Sequence, residues 1–292
     1  MATVYAFMNS KGGVGKTTLA ANIGNEIAEI AETDVLLVDT DPQCNLTQIF
    51  YNTEQMDRVH PNLTVFATFR TDGSAGPDPF PANLSVRVSP RDARHHVDLV
   101  PGSFETLRFG DIAGPAMAKA LLANFKEFIA KARQQYKFVI LDTNPCSTFT
   151  TLCSLAVADY VVAPVTLDTF SVRGIELIRE VMSDMYPDLE WLRDSARVKV
   201  IFNRIPRTSD PQKRTKILEQ EELIRTMFPE LSPCIMPDRV HHTSLLFNEE
   251  PGLGFALARR HRGFFGHRAR TALKDELQRT ATDLIATVNG RA

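Results

Sequence analysis

Residues 10–18 read Ser10-Lys11-Gly12-Gly13-Val14-Gly15-Lys16-Thr17-Thr18. A short β-type run, Val4-Tyr5-Ala6-Phe7, precedes them, and Leu19, Ile23, Ile27 and Ile30 follow with helical period. Strand, glycine-rich turn and helix, in that order, form the setting in which such a string binds phosphate. Glycines let the backbone adopt positive φ and turn its N–H groups toward phosphate oxygens. A helix starting at Lys16 or Thr17 adds the positive end of its dipole. Lys16 then supplies a point charge to the β- and γ-phosphates, and the Thr17 hydroxyl supplies a magnesium ligand.

The common phosphate-loop pattern, G-x-x-x-x-G-K-[ST], has glycine where this chain has Ser10 and makes no demand for Lys11. The string from Lys11 to Thr18 resembles the deviant Walker A box of the ParA/MinD family, which includes the nitrogenase iron protein. The resemblance implies an α/β P-loop NTPase fold, with a mostly parallel central sheet covered by helices on both faces. It also implies that Lys11, Gly12, Gly13, Val14, Gly15, Lys16, Thr17 and Thr18 hold ATP. Lys11 and Lys16 take part in hydrolysis, Lys11 by reaching across a dimer to the partner's nucleotide.

Two further stretches carry acids at strand ends, where ligands of open α/β sheets bind. The first is Leu36-Leu37-Val38-Asp39-Thr40-Asp41-Pro42-Gln43-Cys44-Asn45. A carboxylate near the γ-phosphate can orient an attacking water, and a second can support the metal shell. The string resembles the family's D-x-D-P-Q box, which implies that Asp41 is catalytic and that Asp39 supports the magnesium shell or the switch loop. Cys44 stands where relatives mostly carry Gly or Ala. The second stretch, Phe138-Val139-Ile140-Leu141-Asp142, has the form of a Walker B strand, with Asp142 as a magnesium-side acid. Family members often continue Asp-x-Pro-Pro; here Thr143-Asn144-Pro145-Cys146 follows, and Asn144 is a departure. Asn203 matches the family's adenine-facing asparagine, since an amide offers a donor and an acceptor to the base edge. Met236-Pro237-Asp238-Arg239 resembles the loop over the base, which implies nucleotide contacts from Pro237 and Asp238.

The chain has 292 residues, 43% hydrophobic and 23% charged, the balance of a globular protein with a sizeable core. A net charge of −2 confines any nucleic-acid role to a local patch. Four cysteines form no C-x-x-C pair and no zinc spacing, which reads as reduced thiols in a cytosolic protein. No signal peptide or membrane-length apolar run is visible, and the early phosphate loop leaves no room for an N-terminal helix-turn-helix domain. Strands are expected at Val4–Met8, Val35–Asp39, Val97–Val100, Phe138–Asp142, Tyr160–Ala163 and Val198–Phe202. Helices are expected at Ala116–Gln134, Val172–Met185 and Gln212–Met227. Residues 52–96 break this rhythm with an exposed, turn-rich loop. A single domain over 1–292 is expected.

From Pro251 to Lys274 there is no Asp or Glu, while Arg259, Arg260, Arg262, Arg268, Arg270 and Lys274 supply cations. This is the expected DNA-binding patch, with Lys213, Arg214 and Lys216 as secondary candidates. Leu273, Leu277, Ala281, Leu284 and Val288 form one stripe of an amphipathic helix, expected to pack in the core rather than on a membrane. The His95-His96 and His241-His242 pairs are expected as polar loop residues. The resemblance implies a ParA-like ATPase with ATP and Mg2+ as ligands. It would form an ATP-dependent homodimer, bind DNA without sequence specificity and associate with the nucleoid from the cytoplasm. A ParB-like or other cargo adaptor would stimulate its slow hydrolysis. The alternatives are a MinD-like membrane-cycling ATPase and a metabolic ATP-dependent enzyme of the same fold.

Overall fold

Strand β1 (Thr3–Phe7) divides its side chains between two cores: Val4, Ala6 and Met8 join one, Tyr5 and Phe7 the other. That division, produced by the period of two along a strand, requires helices on both faces. The computed structural model describes residues 2–69, 81–90, 93–111, 114–145, 148–247, 250–258 and 264–289. Along the chain β1 is followed by α1 (Lys16–Ile30), β2 (Val35–Asp39), α2 (Asn45–Phe50), α3 (Thr53–Asp57), α4 (Pro81–Leu84), β3 (Val86–Arg87) and β4 (Val97–Val100). Then come α5 (Pro115–Gln135), β5 (Phe138–Asp142), α6 (Phe149–Val157), β6 (Tyr160–Val165) and α7 (Thr169–Met185). The order closes with β7 (Val198–Ile205), α8 (Pro211–Met227), β8 (Ile235–His241) and α9 (Phe264–Asn289).

Among the described residues eight strands form one sheet in the order β3-β4-β2-β5-β1-β6-β7-β8, parallel except for the β3–β4 pair. One face packs Leu36, Val38, Val139 and Leu141 against Phe125, Phe128 and Ile129 of α5, with Leu155 of α6 and Val172 and Ile175 of α7. The opposite face packs Val35, Leu37, Phe138 and Ile140 against Leu19, Ile23 and Ile27 of α1 and the α9 stripe. Leu273, Leu277, Ala281 and Leu284 are each 0% exposed. Burial of that size stabilises by about 1.5–3 kcal/mol per large side chain. The Tyr5 hydroxyl fastens the helix further by donating to the Leu284 carbonyl at 2.8 Å.

The strands and helices expected from periodicity are present, several longer by one to three residues. Two differences bear on function. Residues 236–239, expected as a loop over the base, lie within edge strand β8, so Pro237 and Asp238 are in the sheet. The register slips between the Val200/Ile235 and Phe202/Arg239 pairs, and an irregular edge strand is where proline is tolerated. His241, expected in a loop, ends that strand. The turn-rich piece at 71–80 lies outside the described residues, as do Arg259, Arg260 and Arg262.

Candidate nucleotide site

The phosphate loop leaves β1 at the centre of the sheet. Gly13 and Gly15 adopt φ of 74° and 92°, which any side chain would oppose. Buried amides hold the loop from below. Asn9 Nδ2 donates to the carbonyls of Pro164 (2.7 Å) and Ser171 (3.2 Å), while its Oδ1 accepts from the Lys11 N–H at 2.9 Å. Asn203 Nδ2 donates to the Val14 carbonyl at 2.7 Å. Gly15 N-caps α1 without a side-chain hydrogen bond, so the first-turn N–H groups open toward the loop.

A cavity of about 410 Å³ opens over this loop. Gly12, Gly13, Gly15, Lys16, Thr17 and Thr18 floor it, Asp41 and Pro145 stand at one end, and Arg204, Leu246 and Phe247 at the other. Asp41 is 3% exposed, and its Oδ1 accepts from the Gln43 N–H and from Asn144 Nδ2, both at 2.8 Å. The departure at Asn144 therefore has a physical role, because it fixes the carboxylate expected to act on water.

Asp142 ends β5 wholly buried, and neither carboxylate oxygen has a hydrogen-bond partner among the described residues. Burial raises its pKa well above the carboxylate range and Asp39 adds to the rise, while the Thr17 hydroxyl and the Lys16 ammonium oppose it. An orphaned acid beside a threonine hydroxyl is the donor set of a hard divalent cation, so Asp142 and Thr17 fit magnesium. Asp39 is placed differently. Burial pushes its carboxyl up to about 7, against hydrogen bonds from Thr47, whose N–H (2.8 Å) and Oγ1 (2.6 Å) both donate to Oδ2. Like Asp142 it does not line the cavity, and its Oδ2 ties β2 to α2.

The remaining expected residues divide. Asn203 is 0% exposed beneath the loop and does not line the cavity, and its Oδ1 is unpartnered among the described residues. Pro237 is exposed on β8, and Asp238 pairs with Arg279 of α9 at 2.8 Å, so neither reaches the cavity. Lys11 stands at the rim and pairs with Asp168 at 3.0 Å. Desolvation opposes ionisation of Asp168, yet hydrogen bonds from Thr166 and Lys11 and from the Ser171 N–H leave its pKa lowered. The cationic patch free of acids in sequence is not free of them in space. Lys274 and Arg270 share a cavity with Glu26 and Glu29 of α1, and the Arg270 guanidinium donates to the Leu257 carbonyl. Arg268 is exposed. Sequence reasoning missed Asn9, Arg204 and Phe247; the Asn203-Arg204 dipeptide after a buried strand was the available signal for Arg204.

A family model described as an AAA domain matches residues 2–191. This chain belongs to the ParA/MinD family of ATPases. A virulence plasmid ParA family protein, pGP5-D of Chlamydia psittaci, is 30% identical over 188 residues, 64% of this chain and 66% of that protein. The chromosome-partitioning ATPase Soj of Treponema pallidum is 29% identical over 186 residues, 62% of this chain and 64% of Soj. The matches thus span just under two-thirds of these partition relatives. A solved structure of pNOB8 ParA bound to nonspecific DNA superposes with a TM-score of 0.67 at 20% identity, each chain covered completely. The family places a P-loop ATPase fold and a nucleotide-binding loop on this chain. Among the described residues no helix is long and apolar enough to cross a membrane.

Proposed function

We propose that this protein is a ParA-like partition ATPase. It dimerises on ATP, binds DNA without sequence specificity, and hydrolyses ATP slowly to distribute a plasmid, a chromosome or another cargo. A ParB-like or other adaptor stimulates hydrolysis and releases the protein from the nucleoid. The observation that carries this reading is the Asp41 carboxylate, held by Asn144 and Gln43 at the end of a cavity floored by Lys16 and Thr17. Lys16 and the loop N–H groups hold the triphosphate, and Asp41 orients the attacking water by accepting its hydrogen bond. Thr17 and Asp142 would hold magnesium, which would supply positive charge to the phosphate oxygens.

Assembly falls to the rim. Lys11 is 45% exposed in its side chain, and Phe170, two residues beyond its ion-pair partner Asp168, is 79% exposed, an apolar side chain suited to burial by a second copy. In the dimer Lys11 leaves Asp168 for the partner's nucleotide. ATP thereby selects the dimeric state, and hydrolysis withdraws that selection. The membrane-cycling alternative gains nothing from α9, whose apolar stripe lies in the core.

Replacing Asp41 by alanine tests the chemistry. Calorimetry should give ATP–magnesium binding within a few-fold of wild type, while phosphate release falls at least about 100-fold, the usual loss with a water-positioning base. Wild-type turnover in Asp41→Ala removes Asp41 from catalysis.

A further inference from the structure

The carboxylate of Asp39 is held by two residues that do not line the nucleotide cavity. Thr47, in the first turn of α2 and 2% exposed, donates both its N–H (2.8 Å) and its hydroxyl (2.6 Å) to Oδ2. The same hydroxyl accepts from the Gly102 N–H at 2.7 Å, so the loop that follows β4 orients it. Gly102 also closes directly on the carboxylate. A β-carbon there would stand 2.9 Å from Asp39 Cγ and Oδ2 and 3.0 Å from the Cys44 sulfur. Its φ lies outside the left-handed region, so close approach is what requires glycine here.

Asp39 passes this constraint to Asp41. Its Oδ1 accepts from the Asp41 N–H at 3.3 Å. Thr40, between the two acids, donates its N–H (3.0 Å) and hydroxyl (2.7 Å) to the Asp142 carbonyl. Further along, the Cys44 N–H donates to the Asp41 carbonyl at 2.9 Å. The turn carrying Asp41 is thus fastened to β5 through Thr40 and to α2 through Asp39. A hydroxyl donating to a carboxylate at 2.6 Å is of the short, charge-assisted kind, which fixes direction as well as energy. Lys16 and Thr17 stand at the start of α1, so the grip on phosphate does not depend on the Thr47 bond.

We propose that Thr47 and Gly102 are positioning residues for hydrolysis: together they clamp Asp39, and Asp39 sets the turn that aims the Asp41 carboxylate at the attacking water. Neither residue touches nucleotide; both act through Asp39. An orienting carboxylate tolerates little error, since a displacement on the order of 1 Å can cost about 100-fold in rate. Grip and aim are therefore separable in this site. The first belongs to the phosphate loop, the second to bonds among β2, α2 and the loop after β4. This rests on the reading of Asp41 as the residue that orients water.

Thr47→Val keeps the side-chain shape and removes the hydroxyl, Thr47→Ser keeps the hydroxyl, and Gly102→Ala presses a methyl group against Asp39 with the hydroxyl intact. Calorimetry with ATP–magnesium counts binding sites and gives affinity. Phosphate release per counted site gives kcat, so misfolded protein does not enter the comparison. Thr47→Val and Gly102→Ala should each lower kcat about 10- to 100-fold, with KM and ATP affinity within a few-fold of wild type. Thr47→Ser should stay within a few-fold of wild type in kcat. Added to Asp41→Ala, Thr47→Val should cause no further loss, because changes that act through one group are not additive. Wild-type kcat in Thr47→Val or Gly102→Ala overturns the clamp. So does a loss in Thr47→Ser equal to that in Thr47→Val, a fall in affinity that matches the fall in kcat, or a further loss on the Asp41→Ala background. Wild-type turnover in Asp41→Ala overturns instead the reading of Asp41 on which the clamp rests.

Discussion

Asp142 shows how a single residue can be poor for stability and good for a ligand. Its carboxylate is buried, unpartnered among the described residues, and lies next to a second buried acid, Asp39, in the β2–β5 register. On top of desolvation, Asp39 raises the pKa of Asp142, and Asp41 raises that of Asp39. A carboxyl whose folded pKa exceeds the unfolded value of roughly 4 binds its proton more tightly when folded. Its contribution is therefore intact below about pH 4 and is lost as pH rises through the folded pKa, near 7 for Asp39. Without nucleotide, stability should decline from about pH 4 toward neutrality through this pair. Asp142→Asn should flatten that decline and, at neutral pH without magnesium, raise stability by about 1–3 kcal/mol, because it removes a buried ionisable group that faces Asp39. The same variant should lose the rise in melting temperature that magnesium and ATP give to wild type. Urea unfolding across pH, with and without magnesium–ATP, reads both effects, and a less stable variant at neutral pH contradicts them.

At the scale of elements, α1 ends on a residue that sequence reading does not single out. Ala31 caps the helix, and Glu32, exposed, follows with φ of 47° in the position that favours glycine. Glu32→Gly should stabilise by about 0.5–1 kcal/mol without touching the core, measurable as a higher urea midpoint at unchanged slope. No increase would mean that the greater freedom of glycine in the unfolded chain offsets the relief. The long elements were legible because their patterns are local: Leu19, Ile23 and Ile27 declare α1, and Phe138–Ile140 declares a strand buried on both faces. Strand β8 was not, because Pro237 and Asp238 read as a turn, and only pairing with β7 shows that an edge strand accommodates them. The site divides in the same way. Lys16, Thr17, Asp41 and Asp142 were legible from contiguous strings. The bond from Asn144 to Asp41 joins residues 103 positions apart, and the approach of Gly102 to Asp39 leaves no mark on composition.

For the whole molecule, a net charge of −2 makes DNA binding a matter of where cations remain unopposed. Arg207 is paired with Glu276 and Arg239 with Glu221, and Lys274 faces Glu26 and Glu29. Lys213 and Lys216 stand exposed on α8 with no ion pair among the described residues. With ATP, the protein should bind two duplexes of unrelated sequence equally, with affinity falling steeply with salt. Replacing Arg259, Arg260 and Arg262 together by alanine should reduce the log–log salt slope by about 0.9 for each DNA phosphate no longer neutralised, whereas Lys274→Ala should change it little. Fluorescence anisotropy over a salt series decides; identical slopes for wild type and the triple variant take that patch out of the interface. The order of the strands also governs how the molecule comes into being on a ribosome. Among the described residues β1, which carries the phosphate loop, pairs with β5 and β6. Its hydrogen bonds therefore wait until residues 138–165 have emerged, on the order of ten seconds later at typical rates of synthesis. Until then the nascent chain presents a bare apolar strand to its surroundings, and the core above it closes only when α9 arrives. The nucleotide loop, translated well before β5 and β6, is among the last parts to be assembled.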